Sequence, residues 1–430
     1  MKTSLPPTVM ERLARDNATF ARDFPGEPTG RQPVHTVYGG ANLFTADTVG
    51  KLGALARKAL AEYAPDAKTL SDVLGVRFHD ALYAKLVAKL EREPIEDFRI
   101  DFEDGYGSRP DAEEDAHAEA AARALGDASV LPPFIGLRVK PLTEELKVRS
   151  LRTLEIFLSA LAKTRAPPLL LVTLPKVQHE GQLAVLVDAV EHLERAHGLS
   201  PNSVKVEFMV ELSQTLIGAD GTMLLPRLRR ATKDRGFAAH FGTYDYTASV
   251  GITANEQRMT HPAADFARHV MQVCLARTGL FLSDGATTQL PIGPHRGASL
   301  TIEQTHENCA AVQAAWLRSH LDVRDSLMRG FWQGWDLHPA QVPIRHATLF
   351  HFFEQARASS AARLRQFVAR AAQATLVGEQ FDDAATGQGL LNFFLRGLSC
   401  GAFTEAEVTA ETALTFQQLQ TRNFATIIAK

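Results

Sequence analysis

Five charged residues follow five short apolar runs at nearly even intervals in this chain. Asp104, Arg138, Lys176, Glu211 and Asp245 stand 34, 38, 35 and 34 residues apart. Glu211 closes the run Val204–Val210, and Asp245 lies in His-Phe-Gly-Thr-Tyr-Asp-Tyr one interval later. A carboxylate at the end of an apolar strand is costly to bury without a partner. Two of them on adjacent strand ends can share one hard cation, which takes oxygen ligands and keeps several waters. The plainer alternatives are a surface acid or an ion pair with Lys176 or Arg138.

The neighbouring charges extend this pattern. Asp101-Phe-Glu-Asp104 puts Asp101 and Glu103 on one strand face, with Asp104 entering a loop. Three carboxylates this close repel one another unless cations or donors compensate. Glu103 and Asp104 are read as groups that hydrogen-bond the water on a metal rather than ligate it. Arg138, inside Ile-Gly-Leu-Arg-Val-Lys, has the fork to grip a carboxylate or carbonyl. It can equally pair with the Asp101–Asp104 acids. Lys176, in Leu-Pro-Lys-Val, is a candidate to bind an anionic substrate. A Schiff-base role is the other option for it, but acidic neighbours raise an ammonium's pKa and disfavour the free amine. His338 is read as structural. Phe381-Asp-Asp-Ala-Ala-Thr386 reads locally as a helix start, because Asp favours the first turn.

These residues need strands to hold them and helices to space them. Apolar runs predict strands at His35–Tyr38, Phe98–Phe102, Phe134–Val139, Leu169–Leu174, Val204–Val210 and Ala238–Thr243, with weaker ones at Gly279–Leu282 and Gly334–Leu337. Helices are expected between them, among them Asp111–Leu125 stopped by Gly126 and Gln182–His197 stopped by Gly198. The interval matches one βαβ unit, roughly 30 or more residues. In a closed parallel barrel all such strand ends share one rim, where substrate binds. No GxGxxG follows a strand, which sets the doubly wound open sheet behind the barrel. The expected architecture is an α/β (β/α)₈ TIM barrel over residues 31–347, after an N-terminal extension (1–30) and before a C-terminal helical or lid region (348–430). Thr404-Glu-Ala-Glu407 reads as a capping box in that last part.

Composition excludes several classes. The 430 residues are 45% hydrophobic with a formal net charge of -3, without the basic stripe of a nucleic-acid binder. Cys274, Cys309 and Cys400 are far apart and odd in number, so neither a disulfide framework nor a zinc site is expected. Met1 to Asn17 lacks an apolar core for a signal peptide, and no apolar run approaches the roughly 18 residues that cross a bilayer. A reduced cytoplasm is the expected location.

Taken in order, Asp-Phe-Glu-Asp-Gly (101–105), Leu-Arg-Val (137–139), Leu-Pro-Lys-Val (174–177), Val-Glu-Leu (210–212) and Gly-Trp-Asp-Leu-His-Pro-Ala-Gln-Val (334–342) resemble the citrate lyase β-subunit-like superfamily. That superfamily includes malyl-CoA lyases, malate synthases and the HpcH/HpaI aldolases. The resemblance runs from roughly Val37 to Gly401. Gly242-Thr-Tyr-Asp-Tyr-Thr-Ala-Ser249 is similar to the malate synthase Gly-Arg-Trp-Asp-Tyr-Ile-Phe-Ser, without its Arg and Trp. Phe381-Asp-Asp-Ala-Ala-Thr-Gly is similar to Met-Glu-Asp-Ala-Ala-Thr. His35-Thr-Val-Tyr-Gly-Gly stands where the lyases carry an Arg-Ser-containing first strand.

The resemblance implies a carbon–carbon lyase or synthase working through an enolate, on an α-oxo acid and an acyl-CoA that together correspond to a β-hydroxyacyl-CoA. It implies Glu211 and Asp245 as ligands of Mg²⁺ (or Mn²⁺) and Arg138 as the group polarising the substrate carbonyl. Asp383 would be the base removing the proton α to the thioester, with Glu103 and Asp104 around the metal's water. It also implies a homo-oligomer, since in lyase relatives the lid and its base can come from an adjacent subunit. Two alternatives stand beside this reading: a CoA-independent class II 2-oxo-acid aldolase, and a non-catalytic barrel acting as a binding or regulatory subunit.

Overall fold

Each expected apolar run forms a strand. β1 (His35–Gly40), β2 (Asp97–Asp101), β3 (Phe134–Arg138), β4 (Leu170–Leu174), β5 (Val204–Val210), β6 (Gly236–Phe241), β7 (Phe281–Ala286) and β8 (Gln333–Asp336) close into one barrel in sequence order. Every pairing in it is parallel, including β1 with β8. The computed structural model describes residues 6–28, 30–297, 299–370, 375–377, 380–382, 384–422 and 424–428, so Asp383 lies outside the described residues.

The differences from the expected bounds have local causes. β6 stops at Phe241 instead of reaching Thr243, because Gly242 starts the turn into a short helix, Thr243–Ser249. β7 begins two residues later than expected and runs on through Ser283-Asp284-Gly285, whose polarity hid its second half. Gly279 has φ +83 and belongs to the preceding turn. The helix from Asp111 continues through Gly126 to Asp127, so Gly126 is not its stop. Gly198, at φ +69, does end Glu180–His197. The capping box at Thr404 and Glu407 forms as read.

Outside the barrel, residues such as Phe98, Ile100, Leu137, Val172 and Phe208 are buried beneath the helical layer. The lumen is polar. Arg99 ion-pairs with Asp97 and, at 2.8 Å, with Glu207, and all three are fully buried. Thr173 donates to Glu207 (2.7 Å) and Thr36 to Asp97 (2.8 Å). The Trp335 indole N–H donates to His240 Nδ1 (3.1 Å), so the ring proton sits on Nε2, which faces Glu207 at 3.3 Å. Burial works against the Glu207 charge, but Arg99 and His240 outweigh it and hold the carboxyl at about 2.

The C-terminal part is helical. Val342–Ala369 starts beside the carboxyl end of β8 and runs for 28 residues, about 42 Å at 1.5 Å per residue. A two-stranded antiparallel sheet, β9 (Thr375–Val377) and β10 (Gln380–Asp382), precedes the helix Ala384–Cys400. That helix reaches the amino ends of the barrel strands. Arg396 donates to Gln32 (2.8 Å), which itself donates to Leu282 O of β7 (3.0 Å) and to Gln333 of β8 (3.3 Å). The N-terminal helix Pro7–Asp23 buries none of its residues. Among the described residues no helix is long and apolar enough to cross a membrane.

Removing one partner of a buried ion pair leaves an uncompensated charge and costs about 3–5 kcal/mol. Arg99→Met strands both Asp97 and Glu207 and should lower stability by about that amount near neutral pH. Urea unfolding followed by tryptophan fluorescence checks this, and the deficit should narrow in acid as the two carboxyls take up protons.

Candidate active site

The rim is set by one carboxylate. Asp101, the last residue of β2, is fully buried and accepts the backbone N–H of Glu103 (3.0 Å) and of Gly105 (2.7 Å). It also accepts Nε and Nη2 of Arg138, at 2.7 and 2.6 Å, from the end of β3. This bidentate fork fixes the guanidinium plane. Arg138 Nη1 then stands 3.1 Å from Glu103 Oε2, and the face of the guanidinium lies 4.7 Å from the centre of the Tyr38 ring. Of the two sequence readings of Arg138, the pairing with the acids of 101–103 is the one the geometry displays.

Lys176 joins the two halves of the rim. It sits just beyond β4 with φ +49, an uncommon left-handed conformation for a side-chain-bearing residue. Its backbone N–H donates to Glu211 Oε1, and its ammonium pairs with Glu103. The same ammonium is 3.3 Å from Asp104 and 4.0 Å from Asp245. Glu211 follows β5 and is buried, with 1% of its surface exposed. It packs against Gly242, where a Cβ would fall 2.6 Å from Glu211 Oε2. Only glycine leaves room for the carboxylate. Asp245 is half-buried, in the first turn of the helix Thr243–Ser249, and not at a strand end equivalent to that of Glu211. Glu103, Asp104, Arg138, Lys176, Glu211 and Asp245 thus converge on one rim, while Asp383 lies outside the described residues.

A family described as a domain of unknown function, DUF6986, matches residues 13–427. The chain belongs to the DUF6986 family. No curated protein matches it. Among solved structures, a citrate lyase from Burkholderia xenovorans LB400 is 18% identical, with 90% of this chain and 97% of that one covered at a TM-score of 0.58. A Haloferax volcanii malate synthase with lead(II) is 14% identical, covering 92% of this chain and 97% of that one at a TM-score of 0.46. The same enzyme with magnesium and glyoxylate is 14% identical, covering 93% and 98% at 0.45. The citrate lyase likeness shows that this DUF6986 chain has its fold.

Two further residues of the candidate site were not singled out in the sequence. Asp101 was read as one acid of three but is the one that fixes Arg138. Tyr38 occupies an inward position of β1, as Thr36 does; its hydroxyl is buried and has no hydrogen-bond partner among the described residues, and its ring stands 5.1 Å from Trp335. Alternation along β1 indicates the face of Tyr38 but not what it meets. His338 caps the turn Pro339–Gln341, accepting from Ala340 N at 3.2 Å, which is the structural role expected of it.

The charges on this rim perturb one another. Burial, reinforced by the charge of Asp245, pushes Glu211 up to about 8, against the opposing pull of Lys176 and Arg138. Burial disfavours the Lys176 ammonium, but Glu103, Glu211 and Asp245 outweigh it and raise its pKa, so the amine is held protonated. Burial and the charge of Asp104 raise Glu103, while burial works against the Asp104 charge but is outweighed by the hydrogen bond to Glu103 and by Lys176 and Arg138, which lower it.

Among the described residues, no three acidic, histidine or cysteine side chains form a ready-made metal cage. The chemistry of the donors nonetheless fits a hard cation. The Lys176 ammonium already occupies a cationic position among carboxylate oxygens, and the Gly242 cradle keeps the Glu211 carboxylate beside it. Mg²⁺ keeps several waters and takes only one or two carboxylates from the protein, so Glu211 and Asp245 suffice.

Glu211 makes stability depend on pH. Its folded pKa is raised above the ordinary 4.5, so its contribution is full below about 4.5 and is lost as pH climbs through about 8. In chelator-treated protein the thermal midpoint should fall from about pH 6 to about pH 9, at no more than about 1.4 kcal/mol per pH unit. Glu211→Gln should flatten that fall, as scanning calorimetry across the same range will show.

Proposed function

We propose that this chain makes or breaks a carbon–carbon bond next to a carbonyl, with Mg²⁺ or Mn²⁺, joining an acyl-CoA to an α-oxo acid or cleaving the β-hydroxyacyl-CoA. The observation that carries this reading is the meeting, on one rim, of a buried carboxylate, a second carboxylate, and two cations that share Glu103. The motifs in 101–105, 137–139, 174–177, 210–212 and 334–342 supply five of the eight strand ends around it.

Glu211 and Asp245 would hold the cation, and Glu103 and Asp104 would hydrogen-bond its water. When bound, it supplies Lewis-acid polarisation of the oxo-acid carbonyl. Asp101 takes Nε and Nη2 of Arg138, and the remaining Nη1, now 3.1 Å from Glu103, would turn to the carbonyl oxygen where negative charge develops. Lys176, protonated, draws the anionic end of the oxo acid to the rim and offsets its charge. Asp383 removes the proton from the carbon α to the thioester, and the resulting enolate attacks the polarised carbonyl.

In lyase relatives the base can come from an adjacent subunit, and we propose the same for Asp383 in this chain. Asp382 closes β10, and the helix that follows packs Gly387 against Phe367 and seats Arg396 on Gln32, at the amino ends of the barrel strands. This is the end opposite the rim of the same chain. A homo-oligomer would bring Asp383 of one copy to the rim of the next.

Asp383→Asn keeps the shape and removes the basicity. It should slow solvent-deuterium exchange into the acyl-CoA by roughly 10²–10⁴-fold while Mg²⁺ and oxo-acid binding persist. Asp382→Asn is the control and should be much milder. Equal behaviour of the two variants, or exchange that survives Asp383→Asn, removes the base and favours the CoA-independent aldolase.

A further inference from the structure

Two adjoining cavities lie at the foot of the barrel, at the amino ends of its strands. One measures about 800 Å³ and the other about 620 Å³, and they share a wall of Pro28, Gln32, Phe281 and Arg396. Small-molecule sites fall in this size range, roughly 300–1,000 Å³. None of the rim residues reaches either cavity.

The shared wall carries an under-compensated charge. The Arg396 side chain is three-quarters buried. It donates to the neutral amide of Gln32 (2.8 Å) and stacks 4.8 Å from the Trp332 ring, while its nearest carboxylate, Glu27, stands 3.7 Å away. An amide oxygen satisfies an N–H but does not neutralise a guanidinium. Burial accordingly pushes Arg396 down to about 10, partly offset by Glu27, with Arg422 adding like charge.

The other charges lean the same way. Arg277 and Arg324 border the larger cavity and Arg422 the smaller one. Among the described residues none of these three side chains makes a hydrogen bond or ion pair. The opposing acids are Glu27 in the larger cavity and Glu405 in the smaller, so each cavity carries excess positive charge in a chain whose net charge is -3. Arg31 adds little, because Glu93 and Glu96 take up its charge. Trp332, Phe352 and Phe393 give the larger cavity an apolar, largely aromatic side.

We infer that the foot of the barrel binds an organic anion: a carboxylate or phosphate head on Arg396, Arg277 and Arg324, with an aryl or acyl body against Trp332, Phe352 and Phe393. The site is separate from the rim and stands whether or not the proposed reaction does. Bound anion would complete the charge of Arg396, which ties the helix Ala384–Cys400 to β1, β7 and β8 through Gln32.

Calorimetric titration of the full chain with 2-naphthyl phosphate, 2-naphthoate, 2-naphthol and inorganic phosphate tests this. Both aryl anions should bind about tenfold or more tightly than naphthol or phosphate alone, as expected for charge-assisted hydrogen bonds in a partly buried site. Arg396→Met should weaken the anions but also loosens the helix. Arg277→Ala with Arg324→Ala removes two side chains that hold nothing else, so it should weaken naphthyl phosphate several-fold while the thermal midpoint stays unchanged. Naphthol binding as tightly as the anions, no binding by any ligand, or a double variant with unaltered anion affinity would each overturn the proposal.

Discussion

Asp101 accepts four hydrogen bonds, and the rest of the rim is oriented by that choice. Two of the four hold the turn after β2, and the other two lock Arg138. With Arg138 locked, its remaining nitrogen meets Glu103; Glu103 takes the Lys176 ammonium; and the Lys176 backbone holds Glu211. From Asp101 to Lys176 each buried charge is compensated by the next, while among the described residues Glu211 receives only a backbone N–H. Breaking a buried pair costs about 3–5 kcal/mol, a large part of the 5–15 kcal/mol by which a domain is stable. The arrangement is therefore determined by charge as firmly as the helical layer is by apolar packing. Below the rim, Arg99 between Asp97 and Glu207 solves the same problem inside the lumen.

Much of this was legible from residue type and spacing. Charged residues that end apolar runs at βαβ intervals gave the barrel, and β5 has the bounds read for it. Other parts were hidden for identifiable reasons. Period-two alternation assigns Asp101 and Glu103 to one face, but it does not tell which acid Arg138 will choose. Asp245 looked equivalent to Glu211 because both follow an apolar run. Gly242 breaks β6 early and moves Asp245 into a helix. The lumen charges were masked by the apolar residues alternating with them, which face the helices. Arg396 escaped notice inside the apolar stretch Leu390–Leu398, since its partner Gln32 is 364 residues away.

The two ends of the barrel differ in what they ask of a ligand. At the rim, acids predominate around Lys176 and Arg138, and burial with the charge of Asp245 raises the Glu211 carboxyl. At the foot, arginines outnumber the acids Glu27 and Glu405. A small cation and an organic anion are the complementary partners, one for each end. The helix Ala384–Cys400 touches the foot of its own barrel through Arg396 and Gln32.

The account stands on the claim that the carboxylates of Glu211 and Asp245 hold a divalent cation in the position that Lys176 now serves. A crystal structure with Mg²⁺ and oxalate, a mimic of the α-oxo acid, tests it most directly. The account predicts one ion at about 2.0–2.1 Å from an oxygen of each carboxylate, oxalate on that ion within reach of Arg138, and the Lys176 ammonium moved off Asp245. An ion bound elsewhere, or oxalate held by Lys176 and Arg138 with Glu211 and Asp245 free, would contradict it.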